Sequence, residues 1–309
     1  MRTSLTPSMP PFAEVLKSRE VEDPVNLWLH RPLAYGFCRL VYRTPITPNM
    51  ITLIAILLGL SAAASWVVGT PAAMVWGGAL LWSSAIMDGA DGILARAKNM
   101  QSAFGRALDG MADWLVGVAS VGACIYHLHA SGHGLGLLVL AVPTAAVPLL
   151  QFNLFDFYKE IHLHNTRIGK RREGHTASEV EKMRASQAVR EGAWYTRFSM
   201  ALYEDHQRVQ ERVTSVTNPA ANRLVSDFAR TQESATAYRR LNYWPMQLWK
   251  SLSTAPHSYL FSIFGMFDRL DLYLWFRLSM MSVVMFTALV WQRRATQRTI
   301  ELYEANGWL

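Results

Sequence analysis

One uncharged run near the start of the chain limits what this sequence can fold into. From Asn49 to Val68 it reads NMITLIAILLGLSAAASWVV and contains no Asp, Glu, Lys or Arg. About 20 apolar residues in a helix are long enough to cross a hydrocarbon core of roughly 30 Å. The run therefore predicts a transmembrane helix, which begins just after the helix-breaking residues Pro45 and Pro48.

Five further apolar segments extend this interpretation to a polytopic membrane protein. Hydrophobic residues make up 51% of the chain and charged residues only 17%, whereas roughly a quarter of the residues of a soluble protein are charged. We therefore predict an all-α fold with six transmembrane helices. The six apolar segments are 49–68, 72–87, 102–127, 134–157, 244–267 and 272–291.

The apolar and polar segments divide the chain into four parts. The longest polar part is too rich in charged residues to enter a bilayer, and its amphipathic periodicity predicts a helical cytoplasmic insertion. We expect this insertion to be a solvated subdomain. The four predicted parts are an N-terminal segment at 1–44, transmembrane helices one to four at 45–160, the insertion at 161–243, and helices five and six with a tail at 244–309.

The N-terminal segment has no apolar core of the length that a signal peptide requires. Apolar side chains and arginines are interleaved over 23–43, and they predict a helix that lies on the membrane surface and is interrupted at Pro32. Six crossings put both termini on one side, together with the clusters of Lys and Arg. The positive-inside rule makes that side the cytoplasm. We expect the membrane to be a bacterial inner membrane. Attraction to anionic lipids explains the net charge of +7, so we predict no nucleic-acid partner.

Four aspartates where the second and third predicted helices meet carry most of the functional information. Asp88 and Asp91 are three residues apart, and Asp109 and Asp113 are four apart, so each pair shares one face of its helix. A turn near Asn99 makes the two helices antiparallel neighbours, and the four carboxylates then converge. A carboxylate at a helix centre in the membrane costs about 2.5 to 3.5 kcal/mol. The cluster therefore needs cations.

Two divalent ions would nearly neutralise the four carboxylates. All the candidate ligands are hard oxygens, and neither Cys nor His lies in this stretch, which favours Mg²⁺ or Mn²⁺ over Zn²⁺. Paired ions of this kind stabilise a phosphoryl centre with its attacking and leaving oxygens. Gly92, Ala95 and Gly105 leave room for a ligand, and Arg96 suits a phosphate. Each of these four residues alone would be ordinary where two helices cross. Together with the four aspartates, they favour phosphate chemistry.

The eight residues follow one spacing, DxxDGxxARx(8)GxxxDxxxD, from Asp88 to Asp113. This spacing resembles the signature of the CDP-alcohol phosphotransferases, the membrane enzymes that make phospholipid head groups. The segment TPNMIT, from Thr47 to Thr52, resembles the opening of that family's first helix. The resemblance covers residues 45–160 well and the last two helices only by their hydropathy, and the long polar insertion departs from the family.

The resemblance implies a reaction in phospholipid biosynthesis. A hydroxyl of a small alcohol acceptor attacks the β-phosphorus of a CDP-alcohol, commonly CDP-diacylglycerol, and CMP leaves. It also implies two bound Mg²⁺ or Mn²⁺ ions, surrounding membrane lipids and a homodimer. The site residues that it implies are Asp88, Asp91, Asp109 and Asp113 as metal ligands, Asp113 also as general base, Gly92, Ala95 and Gly105 as walls of the cytidine pocket, Arg96 as a diphosphate contact, and Asn49 as a further CDP contact.

Two other classes of protein use intramembrane carboxylates. A cation transporter binds its ion at such residues during transit, but it does not need Gly, Ala and Arg at these spacings. An intramembrane aspartyl protease uses one proton-sharing pair of acids, and four aspartates fit that arrangement less well.

The identity of the substrates stays open at the level of sequence. The acceptor can be glycerol phosphate, inositol or its phosphate, serine or choline, and the donor CDP-diacylglycerol or a CDP-linked small alcohol. The acceptor can be recognised by cations of the insertion, such as those at 170–172, or by Arg277.

Overall fold

The structure is a computed structural model, and it describes residues 8–16, 20–134, 136, 139–169, 175–186, 189, 191–225 and 230–309. These residues form helices and connecting turns with no strand among them, which confirms the predicted all-α fold. The basic run at 170–172, a candidate for recognising the acceptor, lies outside the described residues. In chain order the helices are α1 Phe12–Val15, α2 Arg31–Val41, α3 Pro48–Val68, α4 Pro71–Ala97, α5 Ala103–Ala130, α6 Ala141–Thr166, α7 Ala177–Ala185, α8 Trp194–Thr217, α9 Gln232–Lys250, α10 Thr254–Met266, α11 Leu270–Leu278 and α12 Met280–Ala305, with a π-helical turn Asn26–His30 before α2 and a 3-10 helix Pro219–Val225 after α8.

Three segments of the described chain are long and apolar enough to cross a membrane. They are α3, α5 and the segment Leu270–Ala305 that α11 and α12 form together. These segments correspond to the first, third and sixth predicted transmembrane helices. The second and fourth predicted helices overlap α4 and α6, which are not among the three, so six crossings stay a prediction.

The fifth predicted transmembrane helix, 244–267, in which Lys250 and Pro256 interrupt the apolar pattern, is not a single helix. The chain instead ends α9 at Lys250 and begins α10 at Thr254. Pro256 lies in the first turn of α10, where its missing N–H costs no helical hydrogen bond. At about 1.5 Å per residue, the 13 residues of α10 span about 20 Å, which is less than the roughly 30 Å of a hydrocarbon core.

A helix is present in the segment predicted to lie on the membrane surface, but Pro32 does not interrupt it. Pro32 is the second residue of α2, where its missing N–H is tolerated, and the π-helical turn Asn26–His30 leads directly into this helix. Large apolar side chains are exposed along the two elements, including Trp28, Leu33 and Leu40. This pattern suits a helix that lies against a membrane surface.

The packing of α3 against its neighbours depends on glycines that make room for larger side chains. A Cβ at Gly77 of α4 or at Gly265 of α10 would lie 2.4 Å from the buried ring of Trp66. On the other side, a Cβ at Gly59 would lie 2.5 Å from Val116 of α5. Real Cβ atoms do not approach so closely, and these glycines therefore let α3 pack against both α4 and α5.

The insertion packs onto the rest of the protein in its middle and at its end. In the middle, α8 packs against α5, where Ala107, Val180 and Met200 form a small buried core. Near its end, α9 runs across the predicted boundary between residues 243 and 244 and packs against α12. There Asn242 Nδ2 donates to Thr299 Oγ1 at 2.9 Å. The insertion therefore shares its packing with α5 and α12.

One carboxylate ties the segment before α2 to two helices. Glu20 Oε2 lies 2.8 Å from His162 Nε2 on α6, and Glu20 Oε1 accepts a hydrogen bond from Arg239 Nε on α9 at 2.9 Å. The hydrogen bond with His162 is the main reason why the pKa of Glu20 falls from 4.5 to about 2. The ionised carboxylate therefore stabilises the attachment of the N-terminal segment.

We expect Glu20→Gln to lower the thermal midpoint of the detergent-solubilised protein, equivalent to about 1 kcal/mol of unfolding free energy for this half-buried group. Because folding lowers this pKa, the stabilisation is complete above the unfolded value of 4.5 and is lost as the pH falls through about 2. The difference in midpoint should therefore shrink as the pH is lowered across that window. Glu301→Gln, at an exposed position of α12, is the control, and an equal effect of the two substitutions would contradict the prediction.

Candidate active site

Three of the four predicted metal-binding aspartates meet at one point. One carboxylate oxygen from each of Asp88, Asp91 and Asp109 lies within 4.8 Å of the other two. The first two residues come from the C-terminal part of α4 and the third from the N-terminal part of α5. Asp113 follows one turn later on α5, is exposed, and does not belong to this group of three.

The prediction that α4 and α5 are antiparallel neighbours holds only at the end that carries the carboxylates. The turn between them passes through Asn99, whose φ of 54° lies in the left-handed region that asparagine tolerates better than most residues. Beyond this end the described parts of α4 and α5 do not pack along each other, because α3 packs against both. The two helices therefore hold their carboxylates face to face without closing the space between them.

Asp91 is held in place by a hydroxyl group from α3. Thr52 is buried on α3, and its Oγ1 donates to Asp91 Oδ2 at 2.5 Å. A hydrogen bond to one carboxylate oxygen fixes the direction of the other, which is how outer groups orient metal ligands. The sequence marks Thr52 only as part of the family-like helix opening, and its contact with a residue 39 positions away depends on tertiary structure.

We expect Thr52→Val to weaken Mn²⁺ binding about 10- to 100-fold, because the carboxylate of Asp91 loses the group that orients it. Electron paramagnetic resonance of free Mn²⁺ during a titration measures this change. Thr52→Ser keeps the hydroxyl and should bind Mn²⁺ nearly as the wild type does. Equal affinities in the valine and serine variants would rule out this role for the hydroxyl.

The other predicted site residues lie around the aspartates in two groups. Gly92 and Arg96 form the first, because a Cβ added at Gly92 would lie 3.4 Å from Arg96 Nη1, and the partly exposed Ala95 adjoins them. Gly105 and Asn49 form the second, because a Cβ added at Gly105 would lie 3.9 Å from Asn49 Oδ1. Their contacts with a nucleotide stay predictions.

The N-terminal segment reaches the same site through the backbone. Arg96 Nε donates to the carbonyl oxygen of Val15, which is buried at the end of α1. Arg31 at the start of α2 donates from Nη1 to the carbonyl of Gly89 at 3.0 Å and from Nη2 to Glu22 at 2.9 Å. The sequence does not indicate these contacts, because Val15 and Arg96 are 81 residues apart and a backbone acceptor leaves no residue pattern.

Two charged residues of α6 also lie near Asp113, and no motif in the sequence marks them. Lys159 Nζ forms an ion pair with Asp156, and both residues lie close enough to Asp113 to act on it electrostatically. Hydropathy alone ends the fourth apolar segment near Phe157. That boundary falls between Asp156 and Lys159, although one helix, α6, carries both residues.

Arg277, one of the candidates for recognising the acceptor, lies deep among other helices. Its side chain is 1% exposed, its guanidinium lies 5.2 Å from the ring centroid of Phe152, and its Nη1 contacts His257. Its contacts are therefore with α6 and α10, and the structure does not bring it to the group of three aspartates.

The group of three carboxylates suits a hard divalent cation. Neither Asp88 nor Asp91 forms an ion pair with a lysine or arginine of the described residues. The group contains no His or Cys, and carboxylate oxygens are the ligands that Mg²⁺ and Mn²⁺ prefer. The residues present therefore fit the predicted kind of metal ion.

Residues 45–176 match the model of the CDP-alcohol phosphatidyltransferase family. The matched range contains α3 to α6, and with them the four aspartates and every predicted nucleotide contact. None of the curated proteins is similar enough to count as a match to this chain.

Proposed function

We propose that this protein, in which residues 45–176 form a CDP-alcohol phosphatidyltransferase domain, transfers a phosphatidyl group from CDP-diacylglycerol to the hydroxyl of a small alcohol and releases CMP. Members of this family are transferases of substituted phosphate groups. The family and the apolar helices together indicate an integral membrane protein of phospholipid biosynthesis. We further propose that the site faces the cytoplasm and that both termini lie on that side.

The observation that carries this proposal is the convergence of Asp88, Asp91 and Asp109 at one end of the helix bundle. We propose that these residues and Asp113 hold two divalent ions, Mg²⁺ or Mn²⁺. When bound, such ions neutralise the charge of a diphosphate and of its leaving oxygen. Thr52 orients one of the ligands, and α3 holds both ligand-bearing helices in register.

The position of Asp113 supports a role as the general base of the proposed reaction. It is exposed, it lies one turn beyond Asp109, and it stands outside the group of three. We propose that its carboxylate takes the proton of the acceptor hydroxyl while that oxygen bonds to the β-phosphorus. The bond between this phosphorus and the CMP oxygen breaks, and its electron pair leaves with CMP.

The proposed nucleotide site lies around the same end of α3, α4 and α5. Gly92, Ala95 and Gly105 expose backbone that a flat base can approach, and Asn49 lies beside Gly105. Arg96 supplies a guanidinium for the diphosphate. A lipid donor suits this position, because its nucleotide stays in water while its acyl chains stay in hydrocarbon.

The test is an assay of the purified protein in liposomes that contain CDP-diacylglycerol. Glycerol phosphate, inositol, inositol phosphate, serine and choline are supplied one at a time, and CMP and lipid products are identified by mass spectrometry. We expect one acceptor to yield CMP and a new phospholipid in equal amounts. Liposomes that transport cations but form no CMP with any acceptor would instead favour a cation transporter.

A further inference from the structure

An open groove of about 580 Å³ lies between α9 and α12. Leu241 of α9 forms part of one wall, and one face of α12 forms the other. The groove lies where α12 leaves the apolar part of the candidate span Leu270–Ala305 and becomes polar. It shares no residue with the aspartate site.

The α12 side of the groove changes from apolar to cationic along a single stripe. Phe286, Val290, Arg294 and Arg298 all line it, and each follows the previous one by four residues, so the four side chains share a helix face. Phe286 is 62% exposed and Val290 53% exposed. Both arginines are exposed as well. An occupant of this groove therefore meets hydrocarbon side chains at one end and two guanidinium groups at the other.

Neither of these two guanidinium groups has a partner among the described residues. The structure contains no ion pair or hydrogen bond from Arg294 or Arg298. Other arginines nearby are bound, since Arg293 donates to the carbonyl of Thr217 and Arg223 pairs with Glu304. Two adjacent unpaired cations leave the polar end of the groove complementary to an anion.

Exposed aromatic residues place this groove at the boundary between membrane and water. Trp291 lines it between the apolar and the cationic residues and is 43% exposed. On α9, Tyr243 and Trp244 are also exposed, with their ring centroids 5.3 Å apart. Exposed Trp and Tyr are typical of the membrane interface. The apolar end of the groove therefore lies at the depth of acyl chains and the cationic end at the depth of head groups.

We propose that this groove binds one anionic phospholipid of the surrounding membrane. Its phosphate lies between Arg294 and Arg298, where forked guanidinium donors suit phosphate oxygens. One acyl chain lies along Phe286 and Val290. The occupant is a lipid because half of the groove is apolar, and free phosphate makes no use of that half. This inference is independent of the proposed reaction.

The test counts lipids bound to the detergent-solubilised protein by native mass spectrometry. Phosphatidylglycerol and phosphatidylcholine with the same acyl chains are the probes. Wild type should retain phosphatidylglycerol in preference to phosphatidylcholine, and Arg294→Gln/Arg298→Gln should bind it about 10- to 30-fold more weakly. Lys182→Gln/Arg212→Gln removes two exposed cations from α7 and α8 and should bind as the wild type does.

Two further measurements test the roles of the charges and of the apolar wall. Arg294→Lys/Arg298→Lys keeps both charges and should retain the preference for phosphatidylglycerol. This variant tests the proposal if the glutamine variant does not fold. Inorganic phosphate at millimolar concentration should not displace the bound lipid. Equal retention of both lipids by the wild type, unchanged binding in the folded glutamine variant, or displacement by inorganic phosphate would each overturn the proposal.

Discussion

Asp113→Asn should reduce CMP release about 10²- to 10⁴-fold, which is the usual contribution of a positioned general base. The physical reason is that an amide cannot accept the proton of the acceptor hydroxyl, while its size and shape are nearly those of the carboxylate. Because Asp113 is exposed, we expect the variant to fold. The measurement is the initial rate of CMP release with a saturating acceptor, together with the thermal midpoint of each protein.

Asp205→Asn is the matched control, since Asp205 is an exposed aspartate of α8 outside the site. It should leave the rate unchanged. Asp113→Asn should also keep at least one Mn²⁺ ion bound to Asp88, Asp91 and Asp109, whose oxygens meet without Asp113. Turnover of Asp113→Asn at the wild-type rate would remove the assignment of the base.

Removing divalent cations should stop the reaction altogether. Three carboxylates at the convergence of α4 and α5 repel one another without a cation, and the charge of the diphosphate adds to that repulsion. Excess EDTA should therefore reduce CMP release to background, and Mg²⁺ or Mn²⁺ added beyond the chelator should restore it. Bound metal should also raise the thermal midpoint, because a ligand that binds only the folded state stabilises it.

The control for chelation is EDTA that is already saturated with Mg²⁺, which should leave the rate unchanged. Elemental analysis of the loaded protein should find two ions per chain. A single ion would contradict the proposed pair, and full activity in excess EDTA would contradict a metal-dependent reaction.

Features that depend only on neighbouring residues could be predicted from the sequence. The uncharged run at 49–68 corresponds to α3, because length and hydrophobicity are local properties. The same local properties did not predict the helices in the segment 244–267. Lys250 and Pro256 interrupt the apolar pattern, but the pattern does not show that the chain divides there into two helices or that the first of them already begins at Gln232.

The spacing of the aspartates predicts which of them share a helix face, but nothing beyond that local geometry. Helical periodicity places Asp88 and Asp91 on one face of α4 and Asp109 and Asp113 on one face of α5. It does not determine how the two faces approach each other. In the structure three of the carboxylates meet while Asp113 stays outside the group, because α3 lies against both helices and limits their contact to one end.

By itself, the sequence determined the all-helical class, the first span and the candidate ligands, since each depends on residues close together in the chain. Tertiary structure alone decided which distant groups support them. The hydroxyl of Thr52 on Asp91 and the carbonyl of Val15 on Arg96 join segments 39 and 81 residues apart. Such contacts arise when helices pack, and packing depends on the shapes of whole surfaces, which a linear pattern of residues does not contain.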